Sequence, residues 1–228
     1  MSELAQHGTD YSVVEQEEPN VLARNLISAG QLLASATVFF FLAFFFAYFY
    51  LRSVNNAGMW KPKHVDASVT WGTIVMACIV ASPLVLRLAR IDQSAGRREG
   101  FRLKALVAFA FGIAALVIQA VAWTQQGFGP ADGGYASVYF GWTAFMWLFV
   151  LITLLWLEMT IATSWRYRNE PFGAASVPPG HASGDPHRTA HDIRNPVELN
   201  RAEVAALSFY WTFLAGIAVV TWIVLYLA

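Results

Sequence analysis

Charged residues are gathered into short clusters along the 228-residue chain, and long apolar runs separate them. Between Arg24 and Arg52 lie 27 uncharged residues; between Asp66 and Arg87, 20; between Lys104 and Asp132, 27; between Asp132 and Glu158, 25; and after Glu203, 25. A helix crossing the hydrocarbon core of a bilayer needs about 20 predominantly apolar residues. The pattern therefore predicts an all-α integral membrane protein with five transmembrane helices, at about 26–52, 68–89, 103–125, 137–165 and 204–227. Lipid offers no hydrogen bonds to backbone groups, and these runs are apolar all round instead of alternating with a period of two, so helices are expected and not barrel strands.

Residues 1–25 read as a cytoplasmic tail, because Glu3, Asp10, Glu15, Glu17 and Glu18 precede any basic residue, the reverse of a signal peptide. A second polar stretch, about 166–203, joins the fourth and fifth spans; its centre, about 169–199, is rich in Gly, Pro, His and Ser and is expected to be a long cytoplasmic loop without helix. Arg24, the 87–104 segment and the loop after residue 165 hold twelve of the fifteen Lys and Arg, and Arg52, Lys61 and Lys63 are the other three. The positive-inside rule then puts the N-terminus in the cytoplasm and the C-terminus outside. Trp60, Trp71, Trp123, Tyr135, Tyr139, Trp142, Trp222 and Tyr226 fall near the outer face, with Trp165 and Tyr167 near the inner one, as an aromatic belt requires.

Composition sharpens the class. The chain is 57% hydrophobic and 13% charged, where an ordinary soluble domain carries about 25% charge. A net charge of +0 supplies no long-range field for nucleic acid or an acidic substrate. The single cysteine, Cys78, rules out an internal disulfide framework and reads as packing in the second helix.

The candidate chemistry is sparse. Membrane haems and copper sites are commonly held by histidine, and His7, His64, His181, His187 and His191 all lie outside the five spans. No haem or metal centre is therefore expected in this chain, and no active site of its own. Met76, Met146 and Met159 could ligate but read as packing. His187 and His191, with Asp185 and Asp192, have a spacing that a helix would align as a metal clip, but they sit in the proline-broken loop, where solvation is the plainer reading.

Glu158 is the one acid inside a span and a functional candidate for that reason. It falls near the cytoplasmic boundary, where an ion pair with Arg102 or Lys104 or a snorkelled side chain competes with a proton-conducting or headgroup role. Gln31 and Gln119 are amides in hydrocarbon and are expected to hydrogen-bond between helices or to a partner. Ala77 with Ala81, Ala108 with Gly112, Ala110 with Ala114, and Ala215 with Gly216 are candidate sites of close helix approach. Phe39, Phe40, Phe41, Phe44, Phe45 and Phe46 are too many for one face of the first helix, leaving some for lipid or a second membrane protein. Gln31, Phe39, Phe40, Gln119, Trp123, Glu158 and Trp211 are thus the candidate helix, partner or lipid contacts.

Several segments, in order, resemble subunit III of the haem-copper oxidases in a short five-helix bacterial form. Leu33–Phe40 reads Leu-Ala-Ser-Ala-Thr-Val-Phe-Phe and Ala47–Arg52 reads Ala-Tyr-Phe-Tyr-Leu-Arg, similar to the family's Leu-Ala-Ser-Glu-x-x-Phe-Phe segment and its Tyr-Phe-x-x-Arg close. Gln119 and Trp123 keep the spacing of its Gln-x-x-Glu-aromatic. Tyr135, Ser137, Tyr139, Phe140, Thr143 and Phe145 resemble its Thr-Gly-Phe-His-Gly-x-His helix, and Tyr210, Trp211, Phe213 and Tyr226 its closing Tyr-Trp-His-Phe-x-Asp helix. The ionisable positions depart from the pattern: Ala36 and Ala122 stand for glutamates, Met146 and Phe149 for histidines, Thr212 and Ala215 for His and Asp. The proton-uptake help suggested for the family has no carrier at these positions.

The resemblance implies a non-catalytic, cofactor-free chain of a proton-translocating respiratory oxidoreductase in a bacterial inner membrane. It would pack on and stabilise a haem-bearing catalytic subunit I, with subunit II, haem and copper in those partners and phospholipids bound alongside. An accessory subunit of a nitric oxide reductase is the alternative reading and a small-molecule transporter a remote one.

Overall fold

The computed structural model describes residues 19–55, 58–166 and 196–228. The acidic tail before residue 19, Tyr167 and the stretch 167–195 with His181, Asp185, His187, His191 and Asp192 lie outside the described residues. Among the described residues all regular structure is helical: α1 (Pro19–Ser53), α2 (Val69–Ser94), α3 (Arg98–Gln125), α4 (Gly134–Arg166) and α5 (Pro196–Tyr226). Each contains a stretch long and apolar enough to cross a membrane, so the chain is a multi-pass membrane protein of five spans.

The helices overrun the expected spans at their polar ends. α1 begins at Pro19, inside the expected tail, and α2 continues to Ser94, α3 starts at Arg98, α4 at Gly134 and α5 at Pro196. The last start corrects the expectation that the loop stays non-helical to about residue 199. The physical reason is general: a charge marks the edge of the hydrocarbon, while the helix runs on into the headgroups until a turn stops it. Pro19 and Pro196 suit first-turn positions, where no backbone N–H is needed. Gly96, at φ 73°, reverses the chain between α2 and α3, which only three residues separate.

Helix α5 is the hub. It packs on α1, α2 and α4, and α3 completes the bundle between α2 and α4. Its most apolar stretch is 56% buried, against 22% for α1, which rides on the outside of the bundle. The core runs through Leu86, Phe101, Trp142, Leu154, Leu157, Leu207, Trp211 and Leu214.

Close approach is concentrated in a stripe on α3: Phe101, Ala105, Ala108, Gly112, Ala115, Gln119 and Ala122 are buried, a three-and-four spacing of mostly small residues. Any side chain at Gly112 would collide with Leu154 of α4, and at Gly30 of α1 it would press on Ala206 of α5. Ala108 and Gly112 therefore do join helices as expected. Ala77 and Ala110 do not: both are exposed, one helical step off the packed faces, and Gly216 faces open space. Pro83 lies inside α2; beside it the Ser82 hydroxyl donates to the Ala108 carbonyl across the α2–α3 contact at 2.7 Å.

Candidate functional site

The polar groups collect at two ends of the bundle, with an apolar cleft between helices below one of them. At the end where α2 meets α3, Asp92 is buried and holds two cations, Arg97 at 2.5 Å and Lys104 at 2.6 Å. The backbone of Gly100 leaves room for its carboxylate, and a side chain there would run into it. Gln93 donates to Asn200 of α5 at 2.8 Å, and Thr160 of α4 donates to the Glu203 carboxylate at 3.0 Å. Arg102 donates to the Ser164 carbonyl at 2.7 Å and to Glu99 at 3.1 Å. This network ties α2, α3, α4 and α5 at one level.

The same network overturns the ion-pair expectation for Glu158, whose two candidate partners are engaged elsewhere. Glu158 is exposed, on the strip of α4 that also carries Ile152, Leu155 and Met159 outward. Its neighbour Leu157 is fully buried, and a step of about 100° per residue turns Glu158 away from the bundle.

The opposite end is aromatic. The backbone N–H of Tyr135 donates to the Trp60 carbonyl at 2.8 Å, which pins the 58–68 loop to the start of α4. The Tyr135 hydroxyl donates to the Leu225 carbonyl at 2.7 Å, fixing the end of α5. Lys61 pairs with Asp66 at 2.7 Å and lies 4.8 Å from the centre of the Tyr135 ring. Gln126 donates to the Tyr139 hydroxyl at 3.2 Å. Trp142, expected in the interfacial belt, is instead 1% exposed in the core, a turn or two deeper.

Just below this end a narrow cleft with a volume of about 40 Å³ opens between α2, α3, α4 and α5. Its walls include Val75, Ile79, Leu116, Met146, Val150 and Ala218, with Gln119, Thr143, Thr221 and Tyr226 among the residues that bring polar side-chain atoms. Three tryptophans brace it: Trp147 donates to the Leu116 carbonyl at 3.0 Å, Trp123 to the Thr143 hydroxyl at 3.0 Å and Trp222 to Thr73 at 3.1 Å. Thr221 Oγ1 is buried with no hydrogen-bond partner among the described residues, while the Gln119 amide lies within side-chain hydrogen-bonding reach of the Tyr139 hydroxyl.

The candidate contacts thus separate. Gln119 and Trp123 belong to the cleft. Trp211 is buried in the core, 1% exposed, and is a contact between helices. Gln31 makes no contact between the helices of this chain, which leaves the partner alternative: it is exposed, because the face that α1 presents to the bundle runs through Gly30, Ala34, Thr37, Phe41 and Tyr48. Phe40 turns inward to meet Phe145 and Phe149 of α4 at ring separations of 4.9 and 5.4 Å. Phe39 and Phe46 point outward, 74% and 68% exposed.

Residues that sequence reasoning passed over complete the picture. Thr37 and Tyr210 share a buried hydrogen bond of 3.1 Å that joins α1 to α5. Asp92, Thr221 and Glu203 were not singled out either. Asp92 lay in a basic segment and read as loop, although an acid among six cations is a signal for an ion-pair cluster. At positions where the resemblance expects ionisable residues, Ala122, Met146 and Ala215 are buried while Ala36 faces outward.

Comparison with known proteins bears on what this bundle is. The family profile for Cytochrome c oxidase subunit III matches residues 18–174, more than half of the chain, taking in α1 through α4. A protein named cytochrome c oxidase subunit 3, from Latimeria chalumnae, is 25% identical over 150 residues. That likeness covers 62% of this chain and 58% of the relative, so the chain matches little more than half of the relative's length.

Proposed function

The chain belongs to the cytochrome c oxidase subunit III family, and on that footing we propose that it is a non-catalytic, cofactor-free subunit of a respiratory haem-copper terminal oxidase. The observation that carries the reading is the family match through four consecutive spans, 18–174. In this reading the haem and copper are held by a catalytic subunit I and a subunit II, against which the five-helix bundle packs. All five histidines lie outside the spans, which suits a chain with no membrane redox centre of its own. The family match favours the oxidase over a nitric oxide reductase or a transporter.

The bundle's own packing supports a stabilising role. Helix α1 is the least buried span and turns Phe39, Phe46 and Leu32 outward, a flank that phospholipid or a neighbouring membrane subunit covers. The proposed location is a bacterial inner membrane with residue 19 at the cytoplasmic end of α1.

Gentle detergent purification on an N-terminal tag tests the assembly. The expected result is co-purification with a large catalytic subunit and haem absorption; a colourless, solitary protein would overturn it. Deleting the chain should shorten the functional lifetime of the oxidase more than it lowers initial turnover, and an unchanged lifetime would count against a stabilising role.

A further inference from the structure

On its outward side helix α4 exposes Leu148, Ile152, Leu155, Met159 and Ala162 at a three-and-four spacing. Glu158, three residues from Leu155 and four from Ala162, lies on the same strip, and it is the only charged residue from 148 to 162. The strip is about 21 Å long, room for about four turns of a neighbouring helix.

Glu158 sits beneath the headgroups. Trp165 and Tyr135 are 30 residues apart on α4, about 45 Å, the thickness of a bilayer with its headgroups. Glu158 is seven residues inward of Trp165, about 10 Å, where the headgroup layer is about 7 Å deep. Side chains on a helix lean toward its N-terminus. In α4 that is the Tyr135 end, so Glu158 leans toward the membrane centre and away from the nearer headgroups.

This chain brings no cation to it. Among the described residues no ion pair or side-chain hydrogen bond reaches Glu158. Arg102 is engaged by Ser164 and Glu99, and Lys104 by Asp92. Arg166 is eight residues on, about 12 Å toward the headgroups. A carboxylate in hydrocarbon without a cation is costly, and acids within spans are almost always turned inward and paired. Phospholipid tails offer no donor at this depth, and the ammonium of a headgroup lies in the layer beyond. A second copy of this chain packed strip to strip would set Glu158 against Glu158.

We propose that the α4 strip is the docking surface for a transmembrane helix of another chain, one that carries an arginine or lysine at the depth of Glu158 and pairs with it. Leu155 and Met159 pack against that helix, and the ion pair fixes its register. The inference goes beyond the oxidase reading and does not depend on it, since any complex that includes this chain needs the same cation.

The test uses the full chain in its native membranes with a photo-crosslinking benzoylphenylalanine at position 159, or at position 84 on the exposed side of α2 as a control. Adducts are mapped to residues by mass spectrometry. The expected adduct from position 159 is in a transmembrane helix of another chain, within one turn of a Lys or Arg. Glu158→Gln keeps the shape and removes the charge, and should lower the yield about tenfold, as loss of a desolvated charge pair does. Glu158→Arg should abolish the adduct, and replacing the partner's basic residue by an acid should restore it. The control position should not respond to either variant. Thermal unfolding of the purified chain should be the same with Glu158→Gln, which separates lost docking from lost folding; a lower unfolding temperature would overturn the proposal, because the acid would then serve this bundle. Adducts with lipid alone or with a second copy of this chain would also overturn it, as would a captured span with no basic residue in reach, or a yield that Glu158→Gln leaves unchanged. A captured helix that carries the cation but belongs to no oxidase would sustain this inference and sink the oxidase reading.

Discussion

The ring of Tyr226 occupies the space that a side chain at residue 72 would need: a Cβ on Gly72 would clash with the ring carbons Cζ, Cε1 and Cε2. The contact joins the start of α2 to the end of α5, and Trp222, one turn earlier on α5, reinforces it by donating to Thr73 at 3.1 Å. The absence of a side chain at position 72 is what allows this approach. Gly72→Ala should therefore destabilise the bundle by about 1–3 kcal/mol, the usual cost of overpacking. Tyr226→Phe keeps the ring and should cost much less, since its hydroxyl lies 3.4 Å from that of Tyr139, a weak hydrogen bond. Thermal unfolding of the two variants in the same detergent separates them; equal losses would mean that ring packing is not the determinant.

Helix α1 is joined to α5 by a buried polar contact set among apolar ones, the 3.1 Å hydrogen bond between Thr37 and Tyr210. Hydrogen bonds between membrane helices contribute about 0.6–1 kcal/mol. Tyr210→Phe and Thr37→Val should each cost about that much. The double variant should cost less than their sum, because either change alone already breaks the bond. A double-mutant cycle on unfolding in mild detergent measures the coupling, and strict additivity would show that the two hydroxyls do not interact.

The spans were legible in the sequence because bilayer thickness dictates a length, and twenty or more uncharged residues in a row have few other uses. Rotation of each helix about its axis was not. Gln31 and Gln119 both sit in apolar runs, yet one faces out and the other lines a cleft. Lipid tails and core side chains are equally apolar, so no hydrophobic contrast marks the packed face. Glu158 was read toward Arg102 and Lys104 for the same reason: its depth along α4 was legible and its direction was not. Small residues failed as a guide where they were scattered, as at Ala77 and Ala110, and succeeded at Ala108 and Gly112, where they continued a three-and-four spacing from Ala105 to Gln119. That repeat on α3 was the readable signal for the interface. The Asp92 cluster required knowing that α2 runs on to Ser94 as helix, which charge counting obscured.

Asp92 should be the most sensitive ionisable residue at its end of the bundle. Its carboxylate is buried and faces Arg97 and Lys104, whose side chains keep 63% and 38% of their exposure. The cations can therefore recover water when the acid is removed, which lowers the loss below that of a fully buried pair. Asp92→Asn is expected to cost about 1–2 kcal/mol and to loosen the α2–α3 turn. Cleavage of that turn by added protease reads the effect: faster cutting between residues 94 and 98 in the variant, with the rest of the bundle intact, is the expected outcome.

The orientation of the bundle gives the last prediction. Among all Lys and Arg, twelve of fifteen belong to the N-terminal segment and to the two connections on the same side as it. The three at the other end, Arg52, Lys61 and Lys63, accompany the aromatic cluster of Trp60, Tyr135 and Tyr139. Basic residues are retained on the cytoplasmic side during insertion, so Ser94, at the α2 end, should be cytoplasmic and Gln126, after α3, should face outward. Single cysteines at these positions, in a Cys78→Ser background, can be challenged with a membrane-impermeant maleimide. Ser94→Cys should react in inside-out vesicles and be protected in intact cells, and Gln126→Cys should do the opposite. The reverse pattern would invert the topology and place the Asp92 network outside.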